Sequence, residues 1–185
     1  MKTLILIFLL LVSKLVFAIA DEEIPHYKIY PKTPIVDYQS EILDFYSVKD
    51  PYGEFSNFAL FPIFLDGKWW PSSEHYYQAQ KFFEEDLQEL IRNCKTPYEA
   101  AKTARDPNMP LREDWDEVKD GVMLKVVREK FNSYQVLKDL LKSTNNSQIF
   151  EHTKNDCYWA DCGDRTGKNR LGHILEAVRA EISAL

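Results

Sequence analysis

The chain has 185 residues, a one-domain length that can bury a sizeable core without staples. Hydrophobic residues at 45% and charged residues at 28% exclude a disordered tail protein and a membrane bundle. A net charge of -6 argues against a nucleic-acid binder that works through a broad basic face.

The start of the chain stands apart. Residues 4–12 (LILIFLLLV) are an unbroken apolar run behind Lys2. Ala18-Ile19-Ala20 is an A-x-A-like cleavage site ahead of Asp21-Glu22-Glu23. This is the layout of a secretory signal peptide over residues 1–20. The run is shorter than the roughly 20 apolar residues of a membrane span, so an uncleaved anchor is the secondary reading. Without Lys2 and Lys14 the chain carries 21 basic against 29 acidic residues, a net of -8. The expectation is a secreted or periplasmic protein with no membrane span after cleavage; a misread leader would leave it cytoplasmic.

After a Pro-rich lead-in over residues 21–41, the elements follow in order. Residues 42–46 alternate and are expected as a strand. Residues 47–58 have the composition of a loop. Residues 60–65 are apolar enough for a strand, and a turn at Asp66-Gly67 leads into a second one at Lys68-Trp69-Trp70. Ser72 can cap a helix through Phe83, with Glu74 in its first turn. A short helix is expected over 86–93. Thr96-Pro97-x-Glu99 is a capping box opening a helix over 97–105. Asp114 caps a long amphipathic helix in which Val118, Val122, Lys125 and Val126 trace one side. Asn132 or Ser133 opens the next, with Leu137, Leu140 and Leu141 inward. Residues 149–151 are a short strand, 155–168 a long loop, and Asn169 starts a last helix with Leu171, Leu175 and Val178 on its core face. The expected class is α+β, a single helix-rich domain with a small sheet over residues 42–185.

Three cysteines, Cys94, Cys157 and Cys162, allow at most one internal disulfide and leave one thiol. Cys157-x4-Cys162 lacks a second Cys/His pair at zinc spacing, so no metal site is expected. Asn145-Asn146-Ser147 is a glycosylation sequon in a polar stretch.

Three segments could carry chemistry. In the first, Glu74, Gln78 and Lys81 fall at i, i+4 and i+7, one polar stripe bordered by aromatics. Such a stripe suits a site floor, and it is also what a solvated helix face looks like. The second is the loop over 155–172. Loop, glycine, then helix start is a geometry that offers backbone N–H groups to an anion, with Arg165, Lys168 and Arg170 nearby. It can equally be a surface turn capped by Asn169. The third, residues 50–58, is a Gly/Asn loop with three aromatics that could clamp a base or simply seal the core. Aromatics at 14% give a weak hint of a ring-binding pocket.

Read together, FYSVKDPYGEFSNFALFPI, DGKWWPSSEHYYQAQKF, LREDWDEVKDGVML and EHTKNDCYWADCGDRTGKNRLG resemble the YbiA-like, or NADAR domain, family from about Ile42 to the C-terminus. The resemblance implies an N-glycosidase acting on ribosylated metabolites. Some members hydrolyse the first two riboflavin intermediates, which are ribosylamino-pyrimidine phosphates, and others remove ADP-ribose from guanine bases. It implies catalytic roles for Glu74, Lys81 and Asp156. Asn57, Trp70, Trp115, Tyr158, Trp159, Lys168 and Asn169 are expected around the substrate, with the phosphate held by N–H groups of 167–169. No cofactor is expected, and the partner is a small ribosyl-phosphate or ADP-ribosyl molecule. An ADP-ribosyl-guanine hydrolase and a secreted ADP-ribose-binding module without catalysis are the alternatives. One departure is visible. Where the family loop reads W-G-D-G-G, this chain has Trp159-Ala160-Asp161-Cys162-Gly163, and a Cβ at two positions restricts the backbone. A cleaved leader would also remove the protein from cytosolic riboflavin intermediates.

Overall fold

The computed structural model describes residues 33–35 and 39–184. The expected signal peptide and most of the lead-in lie outside the described residues.

Strand β1 (Ile42–Phe45) is followed by a single 3-10 turn at Gly53–Phe55. Strands β2 (Ile63–Leu65) and β3 (Lys68–Trp70) form an antiparallel pair. The turn between them places Asp66 at φ 55 and Gly67 at φ 78, the double left-handed geometry that matches strand twist. The helices are α1 (Ser73–Ala79), α2 (Glu85–Arg92), α3 (Pro97–Thr103), α4 (Trp115–Ser133) and α5 (Gln135–Lys142). Strand β4 (Gln148–Glu151) returns to pair in parallel with β1, Ile42 against Gln148, and α6 (Arg170–Ser183) closes the chain. The class is α+β, as expected, with the sheet in two separate two-stranded pieces.

Local chemistry explains most boundaries. Thr96 Oγ1 accepts from Glu99 N while Glu99 Oε2 accepts from Lys95 N, so the expected box caps α3. Strand β2 begins at Ile63 rather than residue 60, because Pro62 has no N–H to pair. Helix α1 stops at Ala79 instead of reaching Phe83. Beyond it Lys81 N bonds Gln78 O and Phe82 N bonds Ala79 O, the tighter spacing of a helix running out. Helix α5 starts at Gln135, not at Asn132 or Ser133. Those residues finish α4, and Tyr134 separates the two helices in extended geometry, φ -127 and ψ 113.

The inward face of α4 differs from the expected one. Met123, Val126, Val127, Lys130 and Phe131 are buried, Val118 and Val122 only partly, and Lys125 is exposed. A charge pattern treats Lys130 as an outward residue. Its ammonium instead donates to Glu54 O at 2.6 Å and Ser56 O at 2.9 Å, and burial pushes it down to about 7. Those two carbonyls belong to the 3-10 turn and to the residue that ends it, so Lys130 ties the early loop to the long helix. Around it Phe55 meets Phe45 and Phe131 edge-on at 5.8 and 5.7 Å. Leu137, Leu140 and Leu141 of α5 and Leu171, Leu175 and Val178 of α6 complete the core as expected.

Candidate active site

Helix α1 enters the core with its polar residues. Ser72 Oγ accepts from His75 N and caps the helix, and Glu74 N is fixed by Asn57 O at 3.1 Å. Glu74 is 4% exposed and Gln78 2%, so the stripe is no solvated face. One turn on, Gln78 Nε2 donates to Glu74 Oε1 at 2.7 Å. Lys81 follows just past the helix end, its Nζ 5.9 Å from the Trp115 ring.

These groups line a cavity of about 530 Å³, the size of a small-molecule site. Seven expected residues meet there: Glu74, Lys81, Asp156, Asn57, Trp115, Tyr158 and Trp159. One wall is a chain of rings. Trp115 lies 5.1 Å from Tyr77, Tyr77 lies 5.4 Å from Trp159, and Trp159 lies 5.0 Å from Tyr158. Asp156 shapes that wall, because its Oδ1 accepts both Tyr158 N and Trp159 N at 2.7 Å.

The charges in the cavity shift one another. Burial raises the Glu74 carboxyl, against the hydrogen bond from Gln78 and the pull of Arg105 and Lys81. Burial and then Arg105 lower the Lys81 amine, with Glu74 opposing. Glu151, at the end of β4, is pushed up to about 8 by burial and then by Asp156, Glu74 and Asp161. A carboxyl shifted toward its acid form, an amine shifted toward neutrality and a second raised carboxyl in one cavity are the ingredients of proton transfer and amine attack.

Three expected site residues stand elsewhere. Trp70 is 2% exposed, packs edge-on against Tyr76 and donates Nε1 to Leu65 O. It is a core residue of β3. Asn169 is 2% exposed, and its amide bridges Ile149 O and Glu151 N. It joins α6 to β4 and so positions the backbone of Glu151. Lys168 is exposed, with Nζ 4.9 Å from the ring of Tyr158, and does not line the cavity.

The expected N–H cradle is also absent. Gly167 N bonds Asp161 O, Lys168 N bonds Cys157 O, Asn169 N bonds Ala160 O, Arg170 N bonds Tyr158 O and Leu171 N bonds Trp159 O. A loop that satisfies its own donors has none to offer an anion. Its centre is Asp161, fully buried, which accepts from Thr153 N, Gly163 N and Arg165 and lies 2.8 Å from His152 Nδ1. Burial pushes Asp161 up, but His152, the Gly163 N–H and Arg165 hold it below the usual carboxylate value.

The departure from the family loop is absorbed locally. Cys162 keeps the left-handed backbone a glycine would take, φ 64, and is bonded to Cys157 across 4.4 Å between Cα atoms. Ala160 is fully buried, and Cys94 is the free thiol.

Glu151, Arg105, Tyr77 and Lys119 line the cavity without having been singled out in the sequence. Glu151 ends a strand too short for its alternation to aim a side chain. Arg105 follows the end of α3, where a cation reads as a partner of the helix dipole.

The comparisons with known proteins follow the same lines. Residues 44–183 match the NADAR domain family model. The N-glycosidase YbiA of Escherichia coli (strain K12) is 49% identical over 145 residues, 78% of this chain and 91% of that protein. A riboflavin biosynthesis protein of Vibrio vulnificus (strain YJ016) is 38% identical over 79% of this chain, but the match spans 41% of that longer protein. The NMR structure of E. coli YbiA superposes with a TM-score of 0.75 at 46% identity, covering 82% of this chain and 94% of that one. With its fold and nearly all of its described length matched in this way, the chain belongs to the NADAR domain family.

Proposed function

We propose that the chain is an N-glycosidase that hydrolyses the C1′–N bond of ribosylamino-pyrimidine phosphates, the early riboflavin intermediates. The names of its relatives, an N-glycosidase and a riboflavin biosynthesis protein, support the reaction and the substrate class. The observation that carries it is the pair Glu74 and Lys81, both shifted toward neutrality, in one cavity with four linked aromatic rings.

In a ribosylamine, C1′ bears both the ring oxygen and the amine. Glu74 in its acid form gives a proton to the ring oxygen, the C1′–O bond breaks, and C1′ becomes an imine of the heterocyclic amine. The neutral amine of Lys81 adds to that carbon. The heterocyclic amine leaves with a proton relayed through Glu74, and a Schiff base joins the sugar to Lys81. Water oriented by Asp156 adds to the Schiff base, and the sugar departs as the lysine amine is restored. Trp115, Tyr158 and Trp159 flank the base, and such stacking is worth roughly 1–3 kcal/mol per base. The phosphate sits at Arg105, a cation that lines the cavity.

The test is sugar release from a ribosylamino-pyrimidine phosphate, with borohydride added during turnover. A sugar adduct on Lys81 found by mass spectrometry is the expected result. Turnover without an adduct, and a Lys81→Ala variant of normal rate, would transfer the attack to water.

Export is a separate proposal that rests on the leader at residues 1–20, with the Cys157–Cys162 bond in keeping with an oxidising compartment; an exported enzyme would act on ribosylated compounds met outside the cytosol, such as a released nucleotide. N-terminal sequencing from the native host should find Asp21 first; retained Met1 would overturn it.

A further inference from the structure

Among the described residues, three buried side-chain atoms have no hydrogen-bond partner: Asn57 Oδ1, Gln78 Oε1 and Ser73 Oγ. The first two line the cavity and the third does not. Asn57 is 5% exposed and Gln78 2%, so water does not freely serve these oxygens. Leaving a buried carbonyl unpaired carries the full penalty of its lost hydration.

The orientation of the Asn57 amide follows from its partner. Asn57 Nδ2 lies 3.1 Å from Met123 Sδ, a thioether that can only accept. The amide nitrogen therefore faces the sulfur and the oxygen faces away. Gln78 Nε2 donates to the Glu74 carboxyl at 2.7 Å, and Gln78 Oε1 is unpaired. Both residues adjoin Glu74 and line its cavity, Gln78 through its side-chain amide and Asn57 through its backbone O, which accepts Glu74 N.

On the reading given under Proposed function, we infer that Asn57 Oδ1 and Gln78 Oε1 are a sugar-recognition pair that accepts from the vicinal 2′- and 3′-hydroxyls of the ribose. Two neutral carbonyls demand donors. They reject a phosphate, which brings only acceptors and negative charge. A planar base also offers N–H groups, but the flat faces that suit it are Tyr77, Trp115, Tyr158 and Trp159. The sugar carbon that reacts must lie at Glu74, where the two acceptors are. The pair thus distinguishes ribosyl from deoxyribosyl compounds, and a site built to pair a hydroxyl discriminates strongly against its absence.

Binding tests this separately from catalysis. Titration calorimetry of the wild-type protein compares ribose 5-phosphate with 2-deoxyribose 5-phosphate. The deoxy sugar should bind about tenfold more weakly or worse. An Asn57→Leu or Gln78→Met variant should bind both sugars poorly and with a smaller difference between them. Equal affinity of the two sugars for the wild type would overturn the assignment, as would no binding of either at millimolar concentration. If a variant keeps the sugar difference but loses preference for a base bearing an exocyclic amine, the acceptors read the base and the assignment is wrong. Sugar discrimination without any hydrolysis of the ribosylamine would leave this pair standing and sink the glycosidase reading instead.

Discussion

Helix α1 and the loop after β4 both line the cavity, and they hold their side chains by opposite means. In α1 the backbone satisfies itself and the periodicity aims Glu74 and Gln78 to one side. The stripe needs only a cap at Ser72 and burial of the surrounding rings. The loop over 153–169 has no period. Its shape comes from one buried carboxylate, Asp161, and from a succession of N–H groups bonded to carbonyls several residues away. A helix therefore tolerates chemistry on its side chains, whereas this loop consumes its backbone to hold Asp156, Tyr158 and Trp159 in place.

The comparison is sharpest in activity. Glu74→Gln and Lys81→Ala change the helix side without altering its backbone hydrogen bonds. Each should lower kcat for sugar release by about 10²–10⁴-fold while the thermal midpoint changes little. A variant that keeps full turnover would remove that residue from the proton relay or from the covalent step.

The loop side should fail through structure. Asp161→Ala orphans the Thr153 and Gly163 N–H groups, at about 1–3 kcal/mol for each buried donor. Chemical denaturation should register the loss, and the Tyr158–Trp159 wall should loosen with it. The wild-type contribution of Asp161 depends on pH in a defined direction. Its carboxyl is held below the usual value, so the stability it provides is present at neutral pH and is lost as pH falls below about 4.

Glu151 gives the opposite slope. It titrates at about 8 in the fold, above the ordinary 4.5 of an unfolded chain. Stability present below that lower value is lost as pH rises through about 8. Glu151→Gln should flatten this limb, gaining about 4 kcal/mol over wild type at pH 9 relative to pH 5. Parallel limbs in the two proteins would show that the carboxyl ionises freely.

The smallest change concerns the loop's covalent clip. Replacing Cys157 and Cys162 together by Ser frees a ring of few residues, worth about 2 kcal/mol or less. Reductant should reproduce that loss in the wild type and leave the double variant untouched.

The contrast also explains what could be read from the sequence. The Glu74–Gln78–Lys81 stripe was legible because helical spacing is local. Three of the expected site residues, Trp70, Lys168 and Asn169, do not line the cavity, for reasons that are not local. Trp70 looks like an exposed ring beside Trp69, but the register of β2 against β3 turns it inward while Trp69 pairs with Phe64. The Gly167–Asn169 segment has the sequence of an anion cradle, and only the return of the chain past Asp161 and Ala160 shows its donors engaged. Arg105 and Glu151 entered the site from element ends, where neither period nor cap indicates direction. On the fold side, Leu137, Leu140 and Leu141 were legible as an inward face, and Lys130 was not, because two carbonyls from a distant turn are what make its burial tolerable.

The parallel pairing of β1 with β4 has a consequence for the chain as it is made. Ile42 finds its partner only when Gln148 has been synthesised, and nearly all the cavity's first half is finished well before that. Glu74, Gln78 and Lys81 leave the ribosome early, and Glu151, Asp156 and Trp159 leave late. Long-range strand pairing of this kind is slow, because the intervening chain must be closed into a loop before the contact rewards it. Until then a growing chain exposes the apolar flanks of α1 and carries no complete site. The enzyme is therefore silent through most of its own synthesis, and a product truncated before β4 would have half a cavity and no partner for its first strand.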